Sequence, residues 1–488
     1  LRDDIDFEII DNTFSRNSGD GILLTTRADA SLSTDMRGNL VENNGTVLNP
    51  ITMLPGNGIT MNGIETVIDD LETQGGTWIS NTIRNNSGNG IQINAVSGDV
   101  IPLIIGLDGT DPITGVSLGN TITDNGMDGI EINSGGFAQI NNNRIARNAG
   151  SGVDINAVGM GRRAVLVQRN SIEDNGEDGI EFQSAVNSTD INSLIAFGNS
   201  ISGNQSRGID ILNQGSAVAN IRIGDGTAAN ANTISDNIEE GIYVVNTASL
   251  TQGQGPGSGT VALLADGSGL AAPDMILDIN RNTISGNNSI TNGFAGGGLA
   301  VRVGTSGAST SFTNADATGA GQLNGVGSNS AGFLDGNGRI NARVTNNTFD
   351  GNQGEDVLFE SFVSTAAPAV TAGTWDATTF TVTNYEGDSL ARLNLVFRGN
   401  TGQTLDVTRA GASYNNAEGV FKSRLNTATP GGPFTSATRA RNAQRIPARG
   451  GDVADPLFSP DFGIFEYAGV GASTFRVESD FETTNFLS

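Results

Sequence analysis

The stretch "NTITDNGMDGIEI" (Asn120–Ile132) is followed by "NRIARNAGSGVDI" (Asn143–Ile155), "NSIEDNGEDGIEF" (Asn170–Phe182) and "NSISGNQSRGIDI" (Asn199–Ile211). All four read Asn-x-apolar-x-x-Asn, three residues, Gly, then apolar-x-apolar, and they restart every 23 to 29 residues. The opening Asn-x-apolar-x-x-Asn recurs at Asn12, Asn39, Asn81, Asn232, Asn282 and Asn347, at longer intervals where insertions intervene.

A recurring unit of this length marks a solenoid, a propeller or an array. Each unit offers three short strand-like segments: one ahead of the first Asn (Val165 to Val167, Ile221 to Ile223), one at Asn-x-apolar, and one after the Gly. Three short strands per unit make one rung of a parallel β-helix. The Leu-x-x-Leu-x-Leu frame of a leucine-rich repeat is missing, and a propeller blade of four strands needs a longer unit. The expected fold class is therefore all-β: a β-solenoid over residues 1–365, followed by a strand-rich cap or assembly module over 366–488, where the Asn corners fade.

The rung assigns roles to its residues. Ile130, Val153, Ile180 and Ile209 alternate with polar neighbours and are expected to point inward and stack in one column. Asn120, Asn143, Asn170 and Asn199 fall at one corner, and Asn125, Asn148, Asn175 and Asn204 at another. Carboxamides can hydrogen-bond along a ladder, and Asn tolerates the left-handed backbone that a corner needs. Gly129, Gly152, Gly179 and Gly208 are expected to supply either positive φ or close approach. A dozen rungs at the strand spacing would make a rod about 60 Å long. The chain opens inside a strand, "IDFEII" (Ile5 to Ile10), so an open first rung and further rungs upstream in a longer parent are expected. Insertions at roughly 94–119, 246–275 and 304–338 are expected between the third strand of one rung and the first of the next, lining one edge.

Composition excludes much chemistry. The 488 residues include no His and no Cys, and 26 basic residues face 52 acidic ones for a net charge of −26. No imidazole base, Ser-His-Asp or Cys-His nucleophile, zinc finger or iron–sulfur site can be built. So negative a chain repels a phosphate backbone, which argues against nucleic acid. There is no apolar run long enough to span a bilayer. The one strongly basic block contains Arg409, Lys422, Arg424, Arg439, Arg441, Arg445 and Arg449, and it reads as a docking surface for the acidic rod, either of another copy or of its own chain.

Outward positions of the third strand carry Glu131, Asp154, Glu181 and Asp210 on successive rungs, flanked by Asp128, Asp178 and Glu240. Stacked like charges call for a counter-ion, so these four are the candidate metal ligands, with calcium the ion suited to oxygen donors; a solvated acidic face is the competing reading. No strict calcium-loop motif is present, and "LDGTDP" (107–112) and "GDGT" (224–227) read equally well as turns. Stacking brings carboxylates together automatically, so their spacing alone is no sign of a glycosidase. Tyr243, Lys422 and the Asp69–Asp70 pair stand isolated.

The Asn-x-Ile-x-x-Asn-x-x-x-Gly-Ile-x-Ile rungs, and the joins "IIGLDGTDPITGVSLGNTITDNG" and "IRIGDGTAANANTISDN", resemble the right-handed parallel β-helix repeats of large exported and surface proteins of planctomycete-like bacteria, over about residues 5 to 360. The resemblance implies a right-handed coil and an extracellular or cell-surface location. Some proteins of this fold are pectinolytic, but neither Gly-His-Gly nor Arg-x-Pro-x-x-Arg occurs here, so no catalytic residue is carried over. Three functions stay open: a non-catalytic structural segment of a self-assembling surface or filament protein that needs no cofactor and contacts other copies of itself, a glycan-binding adhesin, and a carboxylate-based polysaccharide lyase or hydrolase.

Overall fold

The computed structural model describes residues 3–26, 30–45, 55–63, 74–94, 103–133, 136–157, 163–184, 191–213, 218–246, 261–262, 275–288, 297–303, 339–353, 356–364, 374–376, 381–383, 392–398, 400–401, 420–426 and 474–475. Three sheets of 11, 10 and 12 strands run the length of the rod; as far as Asn246 each takes every third strand of the chain in order, paired in parallel, and the third sheet ends on the antiparallel strand Thr474–Phe475. One turn of the coil therefore contributes one strand to each. The rung around Asn170, for example, consists of Arg163–Gln168, Ser171–Glu173 and Ile180–Ser184. This is a right-handed parallel β-helix.

Register is set by the alternation within each strand. Ile130, Val153, Ile180 and Ile209 are in register through the third sheet and have no solvent exposure. Ile122, Ile145, Ile172 and Ile201 do the same in the second sheet. One continuous apolar cluster from Ile9 to Val357 fills the interior. Trp78 is its largest member, and its indole N–H donates to Thr34 O at 3.1 Å.

Two carboxamide ladders hold the corners. At the first, the backbone N–H and Nδ2 of Asn143 both donate to Asn170 Oδ1, at 2.9 and 3.0 Å, while Asn143 Nδ2 also reaches Ile105 O at 2.7 Å. The same pattern runs from Asn39 to Asn400, and at the second corner from Asn44 to Asn352. Each amide thus satisfies the corner backbone of two rungs, which a buried turn requires.

The left-handed backbone falls elsewhere than expected. The residue before the ladder Asn takes it: Asn142, Arg169 and Arg281 at the first corner, Asp124, Arg147 and Asp174 at the second, with φ between 54° and 59°. The Asn itself must aim its amide along the rod axis, so the turn is made one residue earlier. The glycines opening the third strand serve close approach. A Cβ at Gly152 would lie 2.5 Å from Ile172 Cγ2 and 2.7 Å from Gly179 O, so the rungs could not stack.

Two expectations need adjustment. The insertion expected at 94–119 contains the first-sheet strand Leu103–Ile105, with Leu103 and Ile105 buried. The loop 106–119 therefore leaves between that strand and the first Asn corner, and not between the third strand and the next rung. Beyond residue 365, Arg392–Arg398 pairs in parallel with Arg339–Thr345 of the first sheet, and Val420–Asn426 with Val357–Ser364 of the third. The insertion at 304–338 and most of that at 246–275 lie outside the described residues.

Candidate functional site

Polar chemistry concentrates on the outer face of the third sheet. Outward strand positions place Glu131, Asp154, Glu181 and Asp210 in register on four consecutive rungs, as the spacing predicts. A second column lies at the turn just before each glycine. There Asp20, Asn57, Asn89 and Asp128 each accept, through Oδ1, the backbone N–H of the equivalent residue one rung on, at 2.7 to 2.8 Å, and Asp178 does the same for Arg207 at 2.6 Å. The recurrence of Asp or Asn before the glycine was the sequence signal for this third ladder, and it was missed.

The two columns meet at Asp128, Glu131 and Asp154, whose carboxylates each bring an oxygen within 4.8 Å of the others. Neutral donors orient them. Glu131 Oε2 accepts from Asn89 Nδ2 and, at 2.6 Å, from Gln92 Nε2. Asp154 Oδ2 accepts from Asn156 Nδ2 at 2.7 Å, whereas Asp154 Oδ1 is shut off from solvent and accepts no hydrogen bond. Gly150 makes room for the turn, because a Cβ there would collide with Asp128 Oδ1.

Burial pushes the Asp128 carboxyl up to about 7, against the Ser151 N–H that favours its anion, and the charges of Glu131, Glu177 and Glu181 add to the rise. Glu181 is likewise raised to about 7 by burial and then by Asp178. Asp154 is raised well above the ordinary carboxylate range by burial and by Glu181, Asp128 and Glu131. Two ionised carboxylates 4.8 Å apart repel by about 3.5 kcal/mol at an effective dielectric of 20.

The four expected ligands do not form one set. Asp210 is taken by Arg207, whose Nη1 donates to its Oδ2 at 2.8 Å. The same guanidinium meets Glu240 at 3.2 Å and lies 4.0 Å above the Tyr243 ring. Glu181 sits one rung beyond the triad, with its carboxylate held by Gln183 and, at 3.3 Å, by Ser151 Oγ. Asp128, read from sequence as a flanking residue, stands inside. Further along, Leu212, Tyr243, Val245 and Ala300 form a separate buried apolar cluster.

The remaining candidates resolve as follows. Asp108 pairs with Arg169 and Asp111 with Arg37, and Asp111 Oδ1 caps the turn by accepting from Ile113 and Thr114 N–H at 2.8 and 2.9 Å. Asp225 is held within its own turn by Thr227 and Asn230 at 2.7 Å. Both segments are turns. Lys422 and Arg424 lie in Val420–Asn426, in register with Glu360 and Phe362. Arg409, Arg439, Arg441, Arg445 and Arg449, and the Asp69–Asp70 pair, lie outside the described residues.

No curated protein sequence matches the chain. Among solved structures, the A-module of a mannuronan C-5 epimerase from Azotobacter vinelandii aligns with 82% of this chain and 89% of its own, at 13% identity and a TM-score of 0.39. Residues 71–254 match the family model described as right handed beta helix region, a stretch that includes Asp128, Glu131, Asp154, Glu181 and Asp210.

Proposed function

We propose that the chain is a non-catalytic structural rod, a segment of a larger self-assembling cell-surface or filament protein acting outside the cell. The observation that carries this reading is the unbroken corner ladder from Asn39 to Asn400, which ties every rung to the next through buried amides. Such a lattice resists local opening and makes a stiff spacer. Phe7, Ile10 and Leu23 are 45%, 46% and 58% exposed, apolar surface that contact with another copy would cover. Partners of this kind are other copies or adjoining rungs. Trp78 and Tyr243 are buried, so neither offers a stacking platform for a glycan.

The test is assembly. Sedimentation and negative-stain microscopy of the purified chain should reveal concentration-dependent filaments or sheets that Phe7→Lys with Ile10→Lys abolishes at unchanged monomer melting temperature. Strictly monomeric behaviour at high concentration would end the proposal.

One observation favours a second reading, a carboxylate-based enzyme acting on a polysaccharide. Asp128 and Glu181 are raised into the range of a general acid or base, and Asp128 has two further carboxylates within 4.8 Å, close enough to share a substrate. Release of reducing ends or unsaturated products from acidic or neutral polysaccharides, lost in Asp154→Asn, would establish it in place of the structural reading.

A further inference from the structure

The triad on the third sheet asks for something the described residues do not provide. Asp128, Glu131 and Asp154 come together because two consecutive rungs align Glu131 with Asp154, while the glycine turn folds Asp128 back against them. The groups that hold them are uncharged: Ser151 N–H on Asp128, Asn89 and Gln92 on Glu131, Asn156 on Asp154. Among the described residues none of the three is in an ion pair. A guanidinium of the same face, Arg207, is engaged with Asp210, Glu239 and Glu240.

A half-neutralised surface patch would turn its oxygens to water. Asp154 does the opposite: its Oδ1 is shut off from solvent and has no donor, while its Oδ2 accepts from Asn156 Nδ2. A buried acceptor in that position is costly unless something binds it. The three carboxylates each bring an oxygen within 4.8 Å of the others, close enough for one cation with oxygen ligands to touch all three.

We propose that Asp128, Glu131 and Asp154 form a binding site for one hard divalent cation, which clamps the rungs beginning at Asn120 and Asn143; calcium suits it because it accepts an irregular oxygen shell, where magnesium demands an octahedron and sheds water reluctantly. Carboxylates supply the charge, water completes the shell, and the amides of Asn89, Gln92 and Asn156 orient the ligands from behind. Glu181 lies one rung outside and tunes the site without being a ligand, and Asp210 takes no part.

The experiment is calorimetric titration of the EDTA-treated chain with calcium chloride in 150 mM NaCl, where diffuse counter-ion attraction is screened. One saturable site per chain is expected, with magnesium at least tenfold weaker. Asp154→Asn and Glu131→Gln should each weaken calcium at least tenfold, and Glu8→Gln, an exposed acid far along the rod, should not. Gly150→Ala keeps every charge but displaces the Asp128 carboxylate, and it too should weaken binding. Far-UV circular dichroism and melting verify each fold. Should Asp154→Asn fail to fold, Glu131→Gln and Gly150→Ala carry the test. Absence of saturable binding to the wild-type chain, or calcium affinity unchanged in the folded triad variants, overturns the proposal.

Discussion

Replacing Asn170 by Ala removes one link of the first-corner ladder. Its Oδ1 accepts from Asn143 N at 2.9 Å and from Asn143 Nδ2 at 3.0 Å; its Nδ2 donates to Ile140 O at 2.9 Å and to Asn199 Oδ1 at 3.0 Å. Four hydrogen bonds worth about 0.5–1.5 kcal/mol each are lost, and the buried Asn143 N–H loses its acceptor, so the cost should be about 4 to 5 kcal/mol. The loss is local, because each rung touches only its neighbours. Hydrogen-exchange mass spectrometry should therefore reveal exchange accelerated by about a thousandfold in peptides covering residues 140–146 and 168–173, with little change near Asn39 or Asn347. Ser171→Ala, on the half-exposed face of the adjoining strand, provides the control and should change stability by no more than about 0.5 kcal/mol. If Asn170→Ala exchanges and unfolds like Ser171→Ala, the ladders are decoration and the argument for a stiff rod collapses.

Gly152→Ala should cost several kcal/mol or prevent folding, because its Cβ would meet Ile172 and Gly179 O of the next rung; a urea midpoint near wild type would contradict the close-approach argument. Arg207→Met should destabilise by about 3 kcal/mol, since the nearly enclosed Asp210 and Glu240 lose their cation, and Arg207→Lys should rescue only partly because one ammonium cannot serve both acids and the Tyr243 ring. Asp154→Asn combined with Glu181→Gln should raise the melting temperature in calcium-free, low-salt buffer and remove any calcium-induced rise; unchanged melting in both conditions would mean the acids do not repel. Incubation with a panel of polysaccharides should yield no product by reducing-end or ultraviolet assay.

The repeat was enough to read the coil. Asn-x-apolar-x-x-Asn, a glycine and apolar-x-apolar at spacings of 23 to 29 residues identify three strands per turn, the inward columns and both asparagine corners, because period-two alternation and parallel stacking leave one way to bury the isoleucines. The acidic stripe was legible for the same reason, since equivalent positions of successive rungs must lie in register. What the sequence could not assign was which of those acids share a site. Asp210 and Glu181 look equivalent to Glu131 and Asp154 along the chain, yet Arg207 takes Asp210 and Asp128 folds in from the turn. That choice depends on side-chain reach across rungs and on which carboxylate oxygen is left buried without a donor, quantities that exist only once the rungs are stacked. The left-handed corner residue belongs to the same class. Asn is the residue that tolerates that backbone best, but the ladder needs its amide along the rod axis, so the turn moved to its neighbour, and only tertiary stacking imposes that demand.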